Sequence, residues 1–131
     1  MEYTIQQLAK LSGVTRRTLR YYDQIGLLRP ARTTEAGYRI YGPSQVDRLQ
    51  HILFYRALGL ELAEIRAALD DPDFRRLEAL QSHLAALEER RRALDALILT
   101  VRKALDAEQG GIPMPDHEKF ECFKQTLIQE D

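Results

Sequence analysis

Leu77, Leu80, Leu84, Leu87, Arg91, Leu94, Ile98, Val101 and Leu105 follow one another at alternating steps of three and four residues. This is a heptad seam, apolar at each of these positions but Arg91, and it requires one continuous helix with a single apolar stripe. The pattern runs for 34 residues, from Phe74 to Ala107. At the α-helical rise, a helix of that size is about 51 Å long. A small domain offers no surface of that length, so folding the helix back on its own chain is the poorer solution. The stripe calls for a second copy of the chain, and residues 72–109 are read as a coiled-coil dimerisation helix. Arg91 is expected to set the register, its stem packed in the seam and its head reaching an acid such as Glu88 or Asp95.

The chain ahead of the seam is built from short punctuated elements. Thr4 followed by Gln7 has the form of a capping box, and Ile5, Leu8 and Ala9 line one face of a short helix that Gly13 ends. Thr15 is placed to cap a second helix whose inner face is Leu19 and Tyr22, with Ile25 near the Gly26 stop. Arg16, Arg17 and Arg20 are left on its outside. Pro30 and the turn Glu35-Ala36-Gly37 divide two short β-like runs, the second carrying Tyr38, Arg39 and Tyr41. A third helix opens at Gly42-Pro43 with the stripe Val46, Leu49, Ile52 and Leu53 and is broken at Gly59. A fourth holds Leu62, Ile65, Ala68 and Leu69 and stops before Asp71-Pro72. Residues 1–71 are therefore read as a winged helix-turn-helix domain of four helices and a small β-hairpin wing, and the fold class as mainly α. This order of parts presents one helix to the major groove of double-stranded DNA while a wing grips the flanking backbone.

The charge distribution agrees. The 131 residues carry 19 Lys and Arg against 20 Asp and Glu, a formal charge of -1. Residues 1–60 alone hold nine basic against four acidic residues, a balance of +5, and the remainder is acidic. A basic front and an acidic back suit a DNA-facing half and a solvent- or partner-facing half. No apolar run reaches the ~18 residues of a membrane span, and the start MEYTIQQLAK has no signal-peptide core, so no membrane partner and a cytoplasmic address are expected. Cys122 is the single cysteine, which excludes an intrachain disulfide and a thiolate metal cage within one chain. No metal site and no cofactor are expected. Gly110-Gly111 and Pro113 close the long helix. In residues 110–131 Phe120, Phe123 and Leu127 form the apolar face of one more amphipathic helix, with nothing after it to cover that face.

The run GVTRRTLRYYDQIGLLRP, followed by AGYRIY and RLQHILFYRALG, resembles the MerR family of transcriptional regulators over residues 3 to about 107. QHILFYRALGLELAEIRAALDDP and DHEKFECFKQTLIQ are most similar to the branch named for TipA and Mta, whose full-length members carry a C-terminal drug-binding domain. The resemblance implies that residues 110–131 are the start of such an effector domain, otherwise missing here, through which alone a small-molecule drug would act. It makes Thr15 to Tyr22 the recognition helix, with Arg16, Arg17 and Thr18 nearest the base edges and Arg20, Tyr21 and Tyr22 gripping the backbone. Tyr38, Arg39 and Tyr41 become wing contacts and Arg56 a phosphate contact. Arg suits such places because its planar fork bonds guanine O6 and N7 together or clamps a phosphate. For Tyr22 and Tyr41 core packing is an equal alternative. Two features depart from the family. Metal-sensing members place two or more cysteines near the end of the dimer helix, and Glu61 stands where a Ser or Thr cap is usual.

The function these features imply is that of a homodimeric, sequence-specific DNA-binding regulator, and the resemblance implies that its long helices pair antiparallel on a palindromic promoter. The resemblance adds activation by bending and untwisting an over-long spacer so that RNA polymerase reads both promoter elements. The rival readings are a simple repressor and a coiled-coil adaptor whose basic face binds an acidic partner. An enzyme is not expected, since the chain shows no paired carboxylates in a pocket context, no Ser-His-Asp logic and no phosphate-cradling Gly loop.

Overall fold

The structure, a computed structural model, describes residues 1–124. Leu127, the last member of the expected C-terminal apolar face, lies outside the described residues. The chain divides into two compact units, Met1–Ala79 and Leu80–Asp131.

In the first unit, β1 (Tyr3–Thr4) leads directly into α1 (Ile5–Ser12). The Thr4 hydroxyl accepts from the Gln7 amide at 3.1 Å and the Gln7 side-chain oxygen accepts from the Thr4 amide at 2.9 Å, so two orphan donors of the helix start are satisfied reciprocally. Gly13 ends α1 at φ 79°, a left-handed conformation that costs a side-chain-bearing residue far more. After α2 (Arg16–Gln24) come the wing strands β2 (Arg32–Thr33) and β3 (Arg39–Tyr41). The expected hairpin of β2 and β3 is present, and β1 adds a third antiparallel strand in the order β1-β3-β2. Tyr3 lies opposite Tyr41 and Thr4 opposite Ile40, so the second wing strand is central and the wing is tied to the start of α1. Two residues are too few to show a period, which is why β1 leaves no mark in the sequence.

Next come α3 (Pro43–Ala57) and α4 (Leu62–Asp70). Leu49 and Ile52 of α3 and Ile65 and Leu69 of α4 join Leu8, Leu19, Tyr22, Leu27, Leu28 and Tyr41 in one buried cluster. At the unconventional cap of α4, the Glu64 carboxylate accepts from the Glu61 amide at 3.2 Å. A carboxylate in the first turn also suits the positive end of the helix dipole. His51, on α3, is buried with its ring edge against Phe74 at 5.3 Å between centroids. Arg76 donates to Asp47 at 3.1 Å, a second tie between α3 and the segment after α4.

The long helix α5 (Arg76–Glu108) has 33 residues, so the expected bounds of Phe74 and Ala107 hold to within two residues. It begins in the first unit and makes up most of the second. Past it, the backbone amide of Ile112 donates to the Asp106 carboxylate at 3.1 Å. A 3₁₀ turn (Asp116–Glu118) precedes α6 (Glu121–Lys124). Phe120, expected on an uncovered apolar face, stands before α6 and is exposed, Phe123 is half-buried, and the buried side of this segment is taken by Cys122. Among the described residues, no helix is long and apolar enough to cross a membrane.

Candidate nucleic-acid interface

Thr15 starts α2 as expected, its hydroxyl accepting from the Thr18 amide at 3.0 Å. The same hydroxyl donates to the Thr18 hydroxyl at 3.0 Å, so both threonines are held at the helix start. Leu19 and Tyr22, three residues apart, are buried, and this roll of the helix turns Arg16, Arg17, Arg20 and Tyr21 outward. The turn leading into α2 is tied by the Ser12 hydroxyl. Ser12 Oγ donates to the Leu8 carbonyl at 2.7 Å and accepts from the Val14 amide at 3.2 Å. Arg17, Thr18, Arg20, Tyr21 and Gln24 line one open depression along the outer face. Among the described residues, Arg16, Arg17 and Arg20 take part in no ion pair, so their charge is available to an anion.

Other basic residues of the front half are already paired. Arg32 is held on Glu2 at 2.8 Å, Arg48 on Asp70 at 2.9 Å, and Arg39 donates from Nε to Asp23 at 2.8 Å. Arg39, expected as a wing contact, therefore also clamps β3 to α2. Tyr38, beside the hairpin turn, is 69% exposed. Tyr22 and Tyr41 take the packing alternative. Tyr41 is 0% exposed, its hydroxyl is enclosed without a hydrogen-bond partner, and burial pushes its phenol pKa up, with Arg39 and Asp23 close by. Arg56, near the C-terminal end of α3, is exposed and borders a depression shared with Gly59, Leu60 and Glu61.

Sequence reasoning passed over four residues that shape this surface. Asp23, one of the four acids of the front half, receives Arg39 from the wing. Arg48 and Arg66 meet at Asp70: Arg48 Nη2 donates to Oδ1 at 2.9 Å and Arg66 Nε to Oδ2 at 3.4 Å. The same guanidiniums donate to backbone carbonyls just beyond α2, Arg48 Nε to Leu27 at 2.7 Å and Arg66 Nη1 to Ile25 at 2.6 Å. Hydrogen bonding from Arg48, then from Arg66, holds the Asp70 carboxyl below the ordinary carboxylate range. No short-range signal links residues 25, 48 and 66, so a linear reading has no means of finding the group.

A capped helix with an unpaired cationic face, set by a tight turn and flanked by a wing clamped to it, defines the class: a winged helix-turn-helix DNA-binding protein. The chain belongs to the MerR family. The family described as "MerR HTH family regulatory protein" matches residues 3–71, and that described as "MerR, DNA binding" matches residues 46–104. The transcriptional activator mta of Bacillus subtilis is 40% identical over 99% of this chain and 51% of its own length. The transcriptional activator TipA of Streptomyces coelicolor is 43% identical over 94% of this chain and 49% of its own. This chain thus spans about half the length of these curated relatives. Among solved structures, the regulator SkgA of Caulobacter crescentus aligns with a TM-score of 0.85 at 40% identity, over 95% of this chain and 89% of that one. MtaN, the N-terminus of the Bacillus subtilis multidrug transporter activator, gives 0.58 at 44% identity, over 79% and 97%. HiNmlR, a MerR family regulator lacking the sensor domain and bound to promoter DNA, gives 0.61 at 25% identity, over 85% and 97%. The resemblance to the TipA and Mta branch is therefore confirmed, and the matched residues are the helix-turn-helix and DNA-binding parts of this family.

Proposed function

We propose that the chain works as a homodimer joined through α5, reads a palindromic promoter with Arg16, Arg17 and Thr18 of two α2 helices, and activates transcription by distorting the DNA between the promoter elements. The observation that carries this reading is the exposed apolar row of α5. Leu77, Leu84, Leu87, Leu94, Ile98, Val101 and Leu105 are all largely exposed, from 43% at Leu87 to 68% at Leu77, and only Leu80 of the apolar seam is half-buried. Each such side chain is worth roughly 1.5–3 kcal/mol when fully removed from water, so a row of seven is a strong drive to pair with a like helix. A two-fold dimer carries two recognition helices, and two-fold proteins match two-fold DNA sites.

Distortion as the route to activation draws on the family and on the names of the relatives, both called activators. Bending and untwisting let RNA polymerase meet two promoter elements that an over-long spacer sets out of phase. Response to a small-molecule drug is assigned to a further domain of the kind full-length members carry, not to residues 1–124. Sedimentation tests the central step. The 131-residue chain should sediment as a dimer at micromolar concentration, and Leu84→Glu with Leu94→Glu should give a folded monomer. A parent monomer at that concentration would overturn the reading.

A further inference from the structure

Beyond the contacts proposed above, and resting on the reading that α2 carries the base contacts, a group of buttressing residues stands behind that helix. The chain leaves α2 through Gly26 at φ 74°, with the Leu27 amide returning to the Tyr22 carbonyl at 2.8 Å and the Gly26 amide to the Asp23 carbonyl at 3.1 Å. This stop satisfies the helix carbonyls but leaves those of Ile25 and Leu27 facing outward. Arg66 and Arg48 take these two carbonyls at 2.6 and 2.7 Å, and their other arms close on the two oxygens of Asp70. A guanidinium is a rigid planar fork, so bonding at two points transmits position as a single bond does not. The fit is close: a Cβ on Gly26 would lie 3.0 Å from Arg66 Cζ. Two cations at this end of α2 also complement the negative end of its dipole.

We propose that Asp70, Arg48 and Arg66 are positioning residues for sequence recognition, fixing the C-terminal end of α2 to α3 and α4 and so setting the reach of its N-terminal side chains. The nine residues of α2 span about 13 Å, so a rotation of about 5° about the anchored end displaces its first residues by about 1 Å. A binding constellation tolerates misplacement of only about 0.5 Å. The nitrogens that hold the anchor are turned to carbonyls and a carboxylate, which leaves the phosphates to other residues.

The test compares binding of the 131-residue chain to a duplex it has selected from a random-sequence pool with binding to a scrambled duplex of the same length, over a range of salt. Asp70→Asn and Arg66→Gln should each lower the ratio of selected to scrambled affinity about tenfold, the scale of one wrong base pair. Neither should change the slope of log affinity against log salt. Circular dichroism melting confirms that both variants are folded. If both keep the parent ratio while Arg17→Ala lowers it, the positioning role is overturned. A salt slope shallower by about one in Arg66→Gln would make Arg66 a direct phosphate contact instead, which also overturns it. Should Arg17→Ala leave the ratio unchanged as well, α2 is not the reading surface, and the proposal falls with the reading beneath it.

Discussion

Arg17 and Arg39 are both basic residues on the side of the molecule that carries α2 and the wing, but their surroundings give them different duties. Arg17 is exposed beside the open depression on α2, free to fork onto a base edge. Arg17→Ala should cost ~1–3 kcal/mol on a selected duplex and blur discrimination at one base step. Titration against duplexes differing at single positions checks this, and uniform loss at every position would make Arg17 a phosphate contact. Arg39 is clamped to Asp23 at 2.8 Å, so its removal both loosens the wing and leaves an unpaired carboxylate on α2. Arg39→Ala should accordingly weaken binding to selected and scrambled duplexes alike. A loss confined to the selected duplex would show that Arg39 reads bases. Tyr41 gives a prediction of the opposite sign. Its enclosed hydroxyl has no partner, and an unsatisfied buried polar group is destabilising, so Tyr41→Phe should leave the melting temperature unchanged or raise it. A clear fall in melting temperature would mean that the hydroxyl is bonded in solution.

Among the elements, α5 carries the most unusual demands, since its seam is apolar but for Arg91 and a buried histidine flanks it. Arg91 is exposed in the single chain, as are its apolar neighbours in the seam. Arg91→Leu should raise thermal stability, because a charged seam residue costs stability while it specifies register, and should allow mixed registers or higher oligomers. Multi-angle scattering across a concentration series would reveal them, and a single clean dimer would remove the register role. His83 lies off the seam and is 5% exposed, and burial depresses its pKa from the ordinary 6.5. The unfolded chain then binds more protons than the folded one between the depressed value and 6.5. Its contribution to stability is complete above 6.5 and declines as pH falls through that window. Melting at about pH 7.5 and about pH 5.5 should show the acid-side loss, and His83→Gln should reduce it. An identical pH dependence in the variant would assign the loss to another group.

For the whole molecule the decisive question is what the proposed dimer does to DNA. An activator that brings two misphased promoter elements together should lose its effect once the spacer is already optimal. Two promoters differing by ~2 base pairs of spacer differ by about 70° in the facing of their elements, at ~10.5 base pairs per turn. Transcription should rise strongly from the longer spacer and little from the shorter. Equal stimulation of both would exclude distortion and favour simple recruitment of polymerase.

Local and periodic features were legible in the residues themselves. The Thr4–Gln7 capping box, the Thr15 cap, the Gly13 and Gly26 stops and the bounds of α5 all follow from interactions spanning at most one helical turn, or from a pattern repeated over many turns. The outward face of α2 was legible for the same reason, since burying Leu19 and Tyr22 leaves its arginines no other side. Contacts between residues distant in the chain were not legible. The pairing of Tyr3 with Tyr41, the Arg39–Asp23 clamp and the meeting of Arg48 and Arg66 on Asp70 depend on how separate elements pack. The same limit applied to charge: counting nine basic residues could not show which are spent inside the domain and which face outward. That division exists only once the chain is folded, because an ion pair is set by distance in space and not by separation in sequence.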